Sequence, residues 1–225
     1  TRQIGEVMLH NSVNVMLRLR EERGVTAYPI FTHREVDGVI KRCQPVPLRQ
    51  RWSFDGERLG MREEAPLCFE FYDAGHILGS AGVLIRGEGR TFFYTGDVNF
   101  NDQTIAGAAR FPEVPIDVLL METTRGDSPL PPGFSRACEE ARFAEALKAA
   151  LEKGGAVLIP VFALGKTQEL LAMLASMEKR RIIAPGVPVY IGGLSTKLTE
   201  LYDKLACQTP RLRPDLQLLD TVSPF

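Results

Sequence analysis

The sequence predicts an α/β protein, and three observations carry that prediction. Between Leu67 and Met121, apolar residues fall in short runs of strand length separated by glycine turns. From Ala137 to Leu205, apolar residues at helical spacing alternate with short apolar runs, the pattern of βαβ units around a parallel sheet. Between the two lies Asp127-Ser-Pro-Leu-Pro-Pro-Gly133, the most turn-rich stretch of the chain, which is expected to mark a domain boundary. Two parts are therefore expected, residues 1–126 and 127–225. A chain of 225 residues with 44% hydrophobic and 24% charged residues has ample material for a core.

The elements follow in order. Ile4, Val7, Met8, Val15 and Leu19 give residues 2–22 a helical face, with Gly24 as the stop. Thr32-His-Arg-Glu35 has the capping-box pattern and opens a second helix, whose face is expected to carry Val36, Val39, Ile40 and Cys43. Pro45 and Pro47 then impose extended chain. Leu67–Tyr72, Gly82–Arg86 and Thr91–Tyr94 read as strands, the last two joined through Gly87-Glu88-Gly89 as a hairpin. Ile116–Met121 reads as one more strand, ending at Glu122. Beyond the boundary, Ala137, Ala141, Ala144, Leu147 and Leu151 line a helix that stops at Gly154-Gly155. Ala156–Val161 reads as a buried strand, Leu170–Met177 as a helix, Val187–Ile191 as a strand and Leu198–Leu205 as a helix.

Composition removes several function classes. A net charge of −1 gives no global basic field for a polyanion, so any such binding needs a local cleft or a metal. Cys43, Cys68, Cys138 and Cys207 form no C-x-x-C pair, which leaves neither a zinc ribbon nor a disulfide framework. They are expected as small buried hydrophobes in a reducing compartment, hence a cytoplasmic location. No apolar run reaches the length of a membrane-spanning helix.

Two short stretches carry the chemistry. Asp73-Ala-Gly-His-Ile-Leu-Gly-Ser-Ala81 and Thr95-Gly-Asp97 each place one metal-competent side chain, His76 and Asp97, in a glycine turn just after a strand. Imidazole is the commonest ligand for zinc, and a carboxylate can bridge two ions. Glu122 ends a strand expected to be buried, where a carboxylate needs a partner or a ligand. His10 and His33 are expected in surface or capping roles. Gly165-Lys166-Thr167 imitates the end of a phosphate-binding loop, but the glycine required five residues earlier is Pro160, so the segment reads as a helix start.

Four motifs stand in one order: Ala74-Gly-His-Ile-Leu-Gly-Ser-Ala81, Tyr94-Thr-Gly-Asp-Val-Asn99, Leu120-Met-Glu-Thr-Thr-Arg-Gly126 and Gly155-Ala-Val-Leu-Ile-Pro-Val-Phe-Ala-Leu-Gly165. With Gln168-Glu-Leu-Leu171 they resemble the β-CASP branch of the metallo-β-lactamase fold, which includes RNase J-type enzymes and RNA 3′-end processing endonucleases. The resemblance implies a partial αββα core followed by the first part of a β-CASP α/β domain. It implies zinc as cofactor, two ions in the complete site, with His76 a ligand of one, Asp97 bridging both and Glu122 supporting them from behind the ligands. It implies hydrolysis of phosphodiester bonds in nucleic acid, RNA above all, with Asp97 and Glu122 counted among the catalytic groups.

The sequence also departs from the family. The main ligand cluster, His-x-His-x-Asp-His, is absent, as are the later family histidines, since the chain has only three. Arg125 stands where many relatives have tyrosine. With Thr1 in place of methionine, the chain is expected to be an internal piece of a longer protein, inactive by itself. Arg110, Arg125, Lys166 and Lys197 are available to a polyanion but read first as ordinary surface charges. Two alternatives remain open: a non-catalytic scaffold subunit of β-CASP type, and another hydrolase of the metallo-β-lactamase fold.

Overall fold

The computed structural model describes residues 1–60, 65–210, 212 and 214–223. The chain divides into two compact units, Thr1–Asp102 with Ala106–Met121, and Gln103–Ile105 with Glu122–Phe225. No described helix is long and apolar enough to cross a membrane.

The first unit opens with α1 (Arg2–Arg23), closed by Gly24 in the left-handed region (φ 66°). Helix α2 (His33–Arg42) starts at Thr32 with the expected capping box: Thr32 accepts from the Glu35 N–H, and the Glu35 carboxylate accepts from the Thr32 N–H at 2.8 Å. The two helices bury Val13, Met16, Val36 and Ile40 against each other. This corrects the expected faces. Val15 and Val39 are exposed and Cys43 is an exposed cap, because the buried stripe is set by the partner helix and not by the apolar spacing alone. The cysteine expectation also fails in part. Only Cys68 is buried, while Cys43, Cys138 and Cys207 are exposed free thiols.

A five-stranded sheet follows in the order β1-β2-β3-β4-β5: Trp52–Ser53, Leu67–Asp73, Ala81–Gly87, Arg90–Tyr94 and Val118–Leu120. The first three pairings are antiparallel, and β4 with β5 is parallel. The β3–β4 hairpin turns on Glu88 and Gly89, both at positive φ (52° and 70°), as a two-residue turn of that twist requires. β5 is shorter than the apolar run suggested. Asp117 interrupts it and is pinned to Thr91, whose N–H donates to the Asp117 carboxylate at 2.6 Å and whose C=O accepts the Asp117 N–H at 2.9 Å.

The topology fixes where the strands point. β2 and β4 both run antiparallel to β3, so they share one direction, and β5 runs with β4. The carboxyl ends of β2, β4 and β5 therefore lie at the same end of the sheet.

The second unit packs α3 (Arg136–Glu152) and α4 (Lys166–Lys179) through Ala144, Leu147, Leu174, Met177 and Ile183. α5 (Gly193–Ala206) buries Leu198, Thr199 and Tyr202. Two expected strands are not formed. Ala156–Val161 and Val187–Ile191 take no part in a described ladder, so the parallel sheet expected here is absent among the described residues. Leu158 is 92% exposed and Tyr190 55%. Each run contains a proline, Pro160 or Pro188, which removes a ladder donor. Apolar periodicity also cannot specify the neighbouring strand that a ladder needs.

Candidate functional site

His76 stands three residues past β2, in a turn fastened at both ends. The Asp73 carboxylate accepts the Gly75 N–H at 2.9 Å. The Ser80 hydroxyl accepts from the N–H groups of His76 (3.1 Å) and Ile77 (3.2 Å) and donates to the Ile77 C=O at 2.9 Å. These bonds stay inside the turn, so they hold the half-buried imidazole's backbone without engaging its ring. Gly75 sits at φ 67°, and a β-carbon there would stand 2.3 Å from the Ala109 nitrogen and 2.5 Å from the Asn99 oxygen. No other residue fits that approach.

Asp97 stands three residues past β4. Buried Thr95 donates its N–H to the Leu120 C=O at 3.0 Å, extending the β4–β5 pairing, and its hydroxyl donates to the Gly96 C=O at 2.7 Å. Gly96, at φ 58°, turns the chain where a β-carbon would come within 3.0 Å of the Ala81 oxygen. The Asp97 side chain is exposed.

Asn99 ties the two turns together. Its N–H donates to the Ala74 C=O at 2.9 Å and its side-chain amide to the Gly75 C=O at 3.3 Å, the two residues just before His76. The same amide also donates to the Asn101 C=O. Asn99 thus links a point two residues from Asp97 to the residue beside His76. Sequence reasoning placed Asn99 in a motif but gave it no role; the asparagine closing that motif was the available signal. Glu122 is half-buried, stands two residues past β5 and begins the second unit.

The donor set can be tested against a metal on its chemistry. An imidazole and a carboxylate, both presented at one end of the sheet, are ligand types that zinc accepts. They are a partial set, since a zinc site takes three or four protein donors. Among the described residues no three His, Cys, Asp or Glu side chains gather to hold an ion.

The remaining sequence candidates have structural explanations. His10 and His33 stack with their Nδ1 atoms 2.8 Å apart, and His10 Nε2 lies 3.3 Å from Asp37, so they pin α1 to α2. Lys166 donates to the Gln103 side chain at 2.9 Å. The helix start at Gly165 is closed by its own residues. Gln168, fully buried, accepts the Gly165 N–H at 2.7 Å and donates to the Ala163 C=O (3.1 Å) and the Thr199 hydroxyl (2.9 Å). Buried Glu169 accepts the N–H groups of Thr104 (2.6 Å) and Ile105 (3.1 Å), which holds Gln103–Ile105 in the second unit. Gln168 and Glu169 were quoted in the sequence motif without a role, and both prove to be architectural.

No family model matches the chain. Individual relatives do. An RNase J-like protein of Methanocaldococcus jannaschii is 37% identical over 134 residues, 60% of this chain and 31% of that protein. Integrator complex subunit 11 of Danio rerio is 32% identical over 183 residues, 81% of this chain and 28% of that protein. A ribonuclease of Thermus thermophilus is 33% identical over 178 residues, 79% of this chain and 37% of that protein. These relatives are nucleases of the β-CASP branch of the metallo-β-lactamase fold, and the chain resembles them over 60–81% of its own length. It spans 28–37% of theirs. Its mixed sheet and helices are compatible with part of the metallo-β-lactamase core. Nucleases of that fold use a metal cofactor in general.

Proposed function

We propose that the protein carrying this chain is a zinc-dependent hydrolase of phosphodiester bonds in RNA. One observation carries the reading: Asn99 fastens together the His76 and Asp97 turns, which leave parallel strands at the same end of the sheet. The names of the M. jannaschii and T. thermophilus relatives, an RNase J-like protein and a ribonuclease, support RNA as the substrate. In this reading residues 1–126 belong to the catalytic core and 127–225 to the β-CASP domain.

His76 would ligate one of two ions, Asp97 would bridge both, and Glu122 would steady the site from behind the ligands. When bound, zinc supplies Lewis acidity toward a phosphoryl oxygen and makes water a usable nucleophile near neutral pH. The chain's own contribution is placement. Ser80 and Asp73 fix the His76 turn, Thr95 and Gly96 fix the Asp97 turn, and Asn99 sets one against the other. Such fixed placement of charged groups is what a site gains from rigid strands and their turns.

The test incubates the whole protein with labelled RNA and DNA oligonucleotides of one sequence and measures its zinc content. Cleavage of the RNA, with both cleavage and zinc content lowered by His76→Ala, is expected. A His76→Ala protein that keeps its zinc and cleaves at the wild-type rate would overturn the assignment.

A further inference from the structure

A second charged feature of the first unit lies on the far flank of β2. Before β1 the chain turns at Arg49 (φ 57°), whose N–H donates to the Phe71 C=O at 2.8 Å. Carrying the register Trp52↔Phe69 back by one residue sets Arg51 opposite Glu70. Neighbouring residues of a strand face opposite ways, so Arg51 shares a face with Glu70 and Tyr72, and Arg49 lines the same pocket from its turn. Arg86 of β3 reaches the same place and hydrogen-bonds Glu70 Oε1. Arg51 Nε stands 3.9 Å from that oxygen, and the Tyr72 hydroxyl donates to Oε2 at 3.0 Å. Burial first, then the bond to Glu70, pushes the Tyr72 phenol above its ordinary range and keeps it a neutral donor.

Arg49, Arg51, Glu70 and Arg86 line a pocket of about 560 Å³ together with Arg58 and Gln50. Among its described lining residues four arginines meet one carboxylate. Glu70 is already committed to Arg86, Arg51 and Tyr72, and it offsets one charge at most. Arg49 and Arg58 are both exposed and bring guanidinium groups that the lining does not balance. A concave surface to which Arg49 and Arg58 both bring guanidinium groups selects an anion, and the planar fork matches phosphate oxygens two at a time.

We propose that this arginine pocket binds a backbone phosphate of the RNA strand whose cleavage is assigned to the His76 end of the sheet. The proposal rests on that functional reading for the source of its phosphate. Position favours a strand over a free ion. Arg49 is hydrogen-bonded to Phe71, two residues short of the end of β2, so the pocket extends along β2 toward the end that carries His76. A bound strand could be held by the pocket while another of its phosphates lies at that end.

The experiment measures binding of a fluorescent single-stranded 12-nucleotide RNA, of AMP and of inorganic phosphate across a salt series. The proteins compared are wild type, Arg49→Gln/Arg58→Gln and Arg49→Lys/Arg58→Lys. Each phosphate contact on a single strand contributes about 0.7 to the slope of log K against log salt. Loss of two contacts therefore lowers the slope by about 1.4 and the RNA affinity by roughly 25-fold at 0.1 M salt. The lysine pair should keep the slope while losing part of the affinity, which separates charge from fork geometry and guards against misfolding. If the glutamine pair loses affinity for AMP or phosphate and none for RNA, the phosphate chemistry stands and a small phosphate is its source. Unchanged affinity and slope for all three probes, or no binding of any to wild type, would overturn the proposal. Binding is read in EDTA, where no metal-dependent cleavage takes place, so failure of the cleavage assignment leaves the pocket result standing.

Discussion

Replacing Gly75 by alanine should destabilise the first unit far more than the same change at Gly89. The two glycines have nearly the same φ, 67° and 70°. A side chain in the left-handed region costs about 1–2 kcal/mol, partly offset by the lower entropy of the unfolded chain. Gly89→Ala should therefore cost about 1 kcal/mol, since a β-carbon there meets nothing within 4 Å. At Gly75 the new carbon would stand 2.3 Å from the Ala109 nitrogen, 2.5 Å from the Asn99 oxygen and 2.7 Å from the Ala108 carbonyl carbon. All three are backbone atoms and cannot swing aside, so overpacking adds about 1–3 kcal/mol. The total for Gly75→Ala is about 3 kcal/mol. Urea unfolding followed by the fluorescence of Trp52, the single tryptophan and a residue of β1, reads this unit directly. With a slope of about 1–3 kcal/mol/M, the midpoint should fall by about 1–3 M for Gly75→Ala and by under half of that for Gly89→Ala. Equal shifts would refute the claim that the His76 turn is docked tightly on the Asn99–Ala109 segment.

Other expectations follow from single contacts. Glu169→Gln removes the charge that accepts the Thr104 and Ile105 N–H groups and should cost about 1–3 kcal/mol, read as faster amide exchange at those two residues. Glu35 is held below the ordinary carboxylate range by the Thr32 N–H and then by its hydroxyl, so its contribution to stability is present near neutral pH and is lost as the pH falls through its folded value. Glu35→Gln should accordingly lower the melting temperature at about pH 7, with the difference from wild type shrinking as acid protonates the carboxylate, whereas a drop that does not change with pH would contradict a charged acceptor in the capping box. Isolated residues 1–225 should show no tight stoichiometric zinc binding by calorimetry, because His76 and Asp97 supply two donors where zinc takes three or four. Tight binding would reveal further ligands in this chain.

Local signals were legible wherever the chain satisfies itself. The capping box at Thr32, the Gly24 stop and the Glu88-Gly89 hairpin depend on neighbours a few residues away, and each formed as the residues predict. Signals that needed a distant partner were not. Ala156–Val161 and Val187–Ile191 have strand-like apolar runs, but a strand is made by its neighbour, and no described ladder supplies one. The buried face of α1 was misplaced for the same reason, because α2 chooses Val13 and Met16 over Val15. At the candidate site, the positions of His76 and Asp97 after their strands could be read from motif order. The bonds from Asn99 that hold the two turns together could not, since they join residues 24 or 25 apart through backbone carbonyls that have no sequence signature.

The most direct measurement of the central claim is cleavage of a labelled RNA by the whole protein carrying Asp97→Asn, beside Glu122→Gln and wild type. The amide preserves the size of the carboxylate and removes the charge that would hold two cations together. Asp97 is exposed, so its replacement should leave the melting temperature unchanged. The account predicts that Asp97→Asn abolishes cleavage and that Glu122→Gln slows it by about 10–100-fold, as expected for a group that steadies metal ligands. Cleavage by Asp97→Asn at the wild-type rate would make Asp97 a turn residue and end the two-metal reading of this end of the sheet.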